Sequence, residues 1–169
     1  GSWDLNTSTG FGSLKWEKDK LRGYGTIFFW FQMLAGDGVD NIGGIPMLYA
    51  PVVNRIRPTA PIKKALETLQ RDPDNQKAKD LIATRKPKTC SEAIAFDILS
   101  VVKDDATAFK VIKGLYQMHE TLGPGYTNYR TGKRVTWQQA MIANMKLLWM
   151  RRTPNNPNDV IEWLQEVAT

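Results

Sequence analysis

Two carboxylates stand three residues apart in a glycine-rich run, Gly36-Asp37-Gly38-Val39-Asp40-Asn41-Ile42-Gly43-Gly44-Ile45-Pro46. Glycines let backbone amides come close to a ligand. If the segment coils, Asp37 and Asp40 lie one turn apart and can aim hard oxygen ligands at one divalent cation of the Mg²⁺ class. A second reading uses the same residues: Asp-Gly and Asp-Asn pairs form turns in which the carboxylate bonds its own backbone. Either way the run needs a rigid support, and the apolar segment Ile27-Phe28-Phe29-Trp30-Phe31-Gln32-Met33-Leu34-Ala35 directly before it can anchor the turn in a core.

The pieces come in a particular order: an aromatic segment ending in Gln32-Met33-Leu34-Ala35, then Gly-Asp-x-x-Asp-Asn-Ile over 36–42, then Gly43-Gly44-Ile45-Pro46. This closely resembles the signature of the flap endonuclease and 5′-exonuclease superfamily, in particular its phage-type and polymerase-associated members. The resemblance implies a mostly α fold, the helical carboxy-terminal domain of a 5′-nuclease, of SAM-like or helix-hairpin-helix type. It places Asp37 and Asp40 on the two aspartates that complete the second divalent-metal position, for Mg²⁺ or Mn²⁺, and so in the catalytic set. Gly43, Gly44 and Ile45 fall on the first turn of the helix–three-turn–helix that grips duplex phosphates, where K⁺ is a further candidate ion.

After Pro46 the chain departs from that pattern. Met47-Leu48-Tyr49-Ala50-Pro51 has neither a second glycine pair nor a lysine, and a similar tail reappears only at Arg85-Lys86-Pro87-Lys88-Thr89-Cys90-Ser91-Glu92-Ala93. Residues 48–84 therefore read as an insertion in the motif, with Lys88 and Thr89 opening its second helix and, with Lys86, offering donors to a phosphate. Thr89-x-x-Glu92 is equally a capping box of an ordinary surface helix. The segment Lys146-Leu147-Leu148-Trp149-Met150-Arg151-Arg152 resembles the last core helix of phage-type members.

Composition bounds the partners. The chain of 169 residues is 42% apolar, enough for one core, so a single helical domain over 23–169 is expected, preceded by an extension or short hairpin over 1–22. With 23 Lys and Arg against 17 Asp and Glu the formal charge is +6, which suits phosphate backbones. Lys77, Lys79, Arg85, Lys86 and Lys88 converge on the insertion and the helix after it. The longest apolar run is too short to span a bilayer, so no membrane partner is expected. One cysteine, Cys90, excludes an internal disulfide and fits a reducing cytoplasm, that of a bacterial host if the protein is phage-encoded. Cys90 reads as packing, and with His119 the sole histidine no charge-relay set can be assembled.

Helical spacing organises the remainder. Residues 24–35 read as a buried helix by length and flanking glycines, although Ile-Phe-Phe-Trp-Phe alone also suits a strand. Pro61 starts a helix carrying Ile62, Ala65, Leu66 and Leu69, and Ala78, Leu81 and Ile82 mark another. From Ser91 an apolar stripe runs through Ala93, Ile94, Phe96, Ile98, Leu99 and Val102, and Lys103-Asp104-Asp105 then caps a helix that stops near Gly123-Pro124-Gly125. Thr136-x-x-Gln139 is a capping box ahead of Met141, Ile142, Met145, Leu148 and Trp149, and Val160–Leu164 forms a last short helix. The loop between, 126–134, combines Tyr126 and Tyr129 with Arg130, Lys133 and Arg134; it can stack bases and neutralise phosphates, or be a plain hydrophilic loop.

Gly1-Ser2-Trp3 has the look of a protease scar, and the acidic α/β half that carries most metal ligands in the family has no room before Gly36. The expectation is therefore the DNA-binding half of a 5′-3′ exonuclease or flap endonuclease-like enzyme. By the resemblance, two-metal hydrolysis of a duplex, nicked or flapped substrate needs the missing amino-terminal half, and a DNA polymerase is a candidate partner. The competing expectation is a catalytically silent DNA-binding or docking module of a phage replication complex.

Overall fold

The computed structural model describes residues 10–149 and 159–168. The expectations placed on Gly1-Ser2-Trp3 and on Arg151-Arg152 lie outside the described residues. The chain is mostly α, in the order β1 (Ser13–Glu17), β2 (Lys20–Tyr24), α1 (Thr26–Ala35), α2 (Ala50–Ile56), α3 (Ala60–Arg71), α4 (Gln76–Ala83), α5 (Glu92–Leu99), α6 (Asp105–Leu122), β3 (Tyr126–Thr127), β4 (Arg134–Val135), α7 (Trp137–Trp149) and α8 (Asp159–Ala168). Where composition suggests one core there are two compact units, one built from residues 1–46 and 90–169 and the other from Met47–Thr89.

In the larger unit α1 is the central element. Thr26 through Leu34 are all buried, and a helix that is apolar all round must be surrounded. It packs against α5, α6, α7 and the β1–β2 hairpin. The Ile-Phe-Phe-Trp-Phe run is thus helical, its strand propensity overridden by packing on every side. Phe28, Trp30, Met33 and Leu34 are each at most 1% exposed, and each contributes about 1.5–3 kcal/mol by leaving water. An aromatic cluster closes the far side: Trp149 and Trp163 stack with ring centroids 4.6 Å apart, and Phe29 meets both rings edge-on at 5.0 and 5.8 Å. Asp105 joins two helix starts, because one carboxylate oxygen accepts from the Thr26 hydroxyl at 2.5 Å and the Trp30 indole N–H at 2.9 Å.

Helix starts follow local chemistry. Asp104 caps α6 by accepting from the Thr107 amide at 2.7 Å, and that bond holds its carboxyl below the usual range. Thr136 and Gln139 form the reciprocal box before α7, with bonds of 3.1 and 2.9 Å. The chain from Ser13 to Tyr24 is an antiparallel hairpin in register Ser13↔Tyr24 to Glu17↔Lys20.

The smaller unit holds α2, α3 and α4. Helix α2 carries Pro51 in its first turn and was not foreseen, since the two prolines and the polar residues around 51–58 mask a single turn of Val52 and Val53. Arg85 closes this unit: its guanidinium donates to the Asn54 side chain at 3.3 Å and the Arg57 carbonyl at 2.9 Å, while Asn54 donates to the Ile82 carbonyl at 2.9 Å. Leu66, counted with the apolar face of α3, is exposed instead. Leu48 and Lys88 exchange backbone bonds of 2.8 and 2.9 Å, so the unit begins and ends side by side.

Candidate functional site: the aspartate turn after helix α1

The turn is assembled by backbone geometry first. Helix α1 ends at Gly36, whose amide donates to the Gln32 carbonyl at 2.7 Å and whose φ of +80° suits a residue without a side chain. Asp37 and Ile42 then exchange backbone bonds, Asp37 N–H to Ile42 at 2.8 Å and Ile42 N–H to Asp37 at 2.9 Å, and Asn41 crosses the tip in the left-handed region at φ +55°. Asparagine tolerates that conformation better than most residues. The return strand docks on the helix, with the Ile45 amide donating to the Leu34 carbonyl at 3.1 Å. Gly44 lies so close that a Cβ there would sit 2.2 Å from the Leu34 oxygen and 2.6 Å from the Gly36 nitrogen.

Within this frame the two carboxylates differ. Asp37 is buried; one oxygen accepts from the Val39 amide at 3.1 Å and the Asp40 amide at 3.4 Å, and the other accepts from the Gln32 side-chain amide at 3.4 Å. Asp40, at the far end of the turn, is exposed. Asp37 thus bonds its own turn as an Asx residue does, and Asp40 is exposed at the turn's far end. Gln32 is a site residue that the sequence reading passed over. Its signal is visible: it is the one amide side chain in an otherwise apolar helix, five residues before the aspartate it meets.

Fit to a divalent ion follows from the donor set. Among the described residues no group of three or more Asp, Glu, His or Cys could hold a metal. The turn supplies at most two carboxylates, so further oxygens would have to come from elsewhere or from water. Mg²⁺ keeps several waters and takes one or two protein carboxylates in many sites; the turn offers the exposed Asp40 and the buried Asp37.

Gly43 is exposed, and a Cβ there would meet nothing within 4 Å; Gly44 is half-buried and Ile45 is buried. Lys86, Lys88 and Thr89 belong to the Met47–Thr89 unit, where all three are exposed. They do not open a helix. Lys88 is held in the bridge to Leu48, Pro87 disfavours a helical Lys86, and α5 starts at Glu92 with Ser91 as its cap, accepting from the Ile94 amide at 3.3 Å. Arg85 is an internal tie of that unit. Arg130, Lys133 and Arg134 are exposed on the β3–β4 hairpin. Charge is concentrated in two blocks: residues 47–89 carry ten Lys and Arg against four Asp and Glu, and residues 121–158 carry six against none.

The nucleophile candidates are silent. Burial pushes the Cys90 thiol up to about 12, so it is protonated at neutral pH. His119 is buried with its ring against Tyr126 at 4.8 Å, and burial pushes its pKa down. Among the described residues no helix is long and apolar enough to cross a membrane. Comparison with models of protein families, with curated proteins and with solved structures finds no match.

Proposed function

We propose that this chain is the DNA-binding half of a 5′-nuclease of the flap endonuclease type, gripping duplex phosphates and presenting Asp37 and Asp40 to a divalent-metal site. The observation that carries the reading is the closed turn itself: an aromatic buried helix, a glycine stop, an aspartate pair joined through Asp37 Oδ1 and the Asp40 amide, and a Gly-Gly-Ile return docked on the end of the same helix. Two further features support it. The Met47–Thr89 unit has adjacent ends, as a segment inserted into a helix-hairpin-helix type motif requires. The same unit carries ten Lys and Arg against four Asp and Glu, including the exposed Lys86 and Lys88, which suit phosphate contacts.

In this reading Asp37 is chiefly a positioning residue. Its hydrogen bonds from Val39, Asp40 and Gln32 fix where the Asp40 backbone lies. Asp40 holds the ion, directly or through water. Gly43, with open space at its Cβ position, lets a phosphate approach its backbone, and a strand phosphate held there is kept in register with Asp40. Divalent ions, when bound, supply hydroxide from water and neutralise charge on the scissile phosphodiester.

The test is cleavage of a 5′-labelled nicked duplex by the protein joined to an acidic catalytic half. Metal-dependent cutting that is abolished in Asp40→Ala and strongly reduced in Asp37→Ala supports the assignment. Cutting that is unchanged in both variants removes the turn from the mechanism. A docking module that never cuts, yet binds DNA, is the second reading, and the loss of the family's glycine hairpin after Pro46 favours it.

A further inference from the structure

The β3–β4 hairpin is built as a presenting device. Tyr126 anchors it: the ring is 8% exposed, stacks on Tyr116 with centroids 5.6 Å apart, and its hydroxyl donates to the Tyr116 carbonyl at 2.9 Å. The tip is stapled by Asn128, whose side chain accepts from the Arg130 amide at 2.9 Å and the Thr131 amide at 3.3 Å, while its own backbone pairs with Lys133 and Gly132 at 2.8 Å each. On this fixed tip Tyr129 is 87% exposed. Arg130 lies over its ring at 5.5 Å and donates to its hydroxyl at 3.0 Å. With this exposure the ring takes no part in the core and is open to a ligand.

The electrostatics are one-sided. From Thr121 to Asn158 the chain has no Asp or Glu, and Arg130, Lys133 and Arg134 converge on the hairpin within five residues of sequence. Aromatic faces stack on bases of any identity, and flanking cations neutralise the backbone. In a duplex the base faces are already stacked on each other, so an exposed ring gains most from an unpaired strand.

We propose that this hairpin is a separate contact for single-stranded nucleic acid, with Tyr129 stacking on an unpaired base and Arg130, Lys133 and Arg134 meeting the adjacent phosphates. It stands on the hairpin alone and does not require the aspartate turn to bind metal.

The experiment is fluorescence anisotropy of the full chain with a labelled oligo-dT and, separately, a duplex of equal length. Tyr129→Ala is expected to weaken oligo-dT binding by about 5- to 150-fold, the range for loss of one stacked base, to leave duplex affinity within about twofold, and to be rescued by Tyr129→Phe. Arg130→Gln with Lys133→Gln is expected to flatten the salt dependence of oligo-dT binding. Because Tyr129 is on the surface, an unchanged melting curve verifies that the variant is folded. Oligo-dT affinity that ignores Tyr129→Ala overturns the proposal, as does an equal loss on both ligands, or competition by poly-glutamate as strong as by oligo-dT. Gly43→Ala, which addresses the duplex reading, is measured beside it, so a failure there leaves the hairpin result distinct.

Discussion

Neighbouring glycines in the turn should respond to the same substitution in opposite ways. At Gly44 a methyl group would lie 2.2 Å from the Leu34 carbonyl oxygen and 2.6 Å from the Gly36 nitrogen, both well inside the 3.4 Å at which ordinary contact begins, and all these atoms are backbone. Relief requires the return strand to leave α1, which stretches the 3.1 Å bond from Ile45 to Leu34. Overpacking costs about 1–3 kcal/mol and a lost hydrogen bond about 1 kcal/mol, so Gly44→Ala should destabilise by about 2–4 kcal/mol. Gly43→Ala meets nothing within 4 Å and should be neutral, or stabilising by about 0.4–1 kcal/mol through the unfolded chain. All six tryptophans lie outside residues 47–89, so tryptophan fluorescence during urea or thermal unfolding reports the unit that contains the turn. At about 2–4 °C per kcal/mol, the two melting points should differ by roughly 4 °C or more. Equal melting points would refute the close packing of the return strand on α1.

Three further outcomes follow from the buried polar groups. Asp105→Ala removes the shared acceptor of Thr26 and Trp30 and should cost about 1–3 kcal/mol, read by the same fluorescence melt. Cys90, with its thiol pushed up to about 12, should react slowly with a thiol-specific disulfide reagent at pH 8 and rapidly once the chain is unfolded in denaturant. The His119 pKa is lowered from 6.5, mainly by burial, with the bond at Gly125 opposing. The unfolded chain therefore takes up the proton first, and stability should fall as pH drops through about 6.5 towards the lowered folded value. His119→Gln should flatten that part of the stability profile.

Much of this arrangement is legible from residue types. The helix stops, the Asp104 cap and the Thr136-Gln139 box are written in short-range chemistry, and the structure places them as spacing predicts. The helix at Thr26–Ala35 follows from length and flanking glycines. The misplaced start of α5 is instructive: Thr89-x-x-Glu92 satisfies a capping pattern, yet Lys88 is committed to a long-range bridge with Leu48, and the cap passes to Ser91. Long-range pairing of this kind has no local signature. For the same reason helix α2 and the two-residue strands β3 and β4 escaped the pattern reading, whereas residues 48–84, set apart by the broken motif, lie within the Met47–Thr89 unit. In the turn, Asp37 was visible but its bond to Gln32 was not, because five-residue separation across a helix end matches no standard spacing. Tyr126 and Tyr129 look alike in sequence; only burial separates the anchor from the exposed tip.

The central claim, that the chain grips duplex phosphates at the turn, is tested most directly by the affinity of this chain for a nicked duplex at 50 and 200 mM KCl, measured with and without Gly43→Ala. If about four phosphates are contacted, binding should weaken by roughly 100-fold across that fourfold change in salt, and the variant should bind more weakly while melting no lower than the parent. Duplex affinity that is absent, or indifferent to salt and to the substitution, would contradict the account.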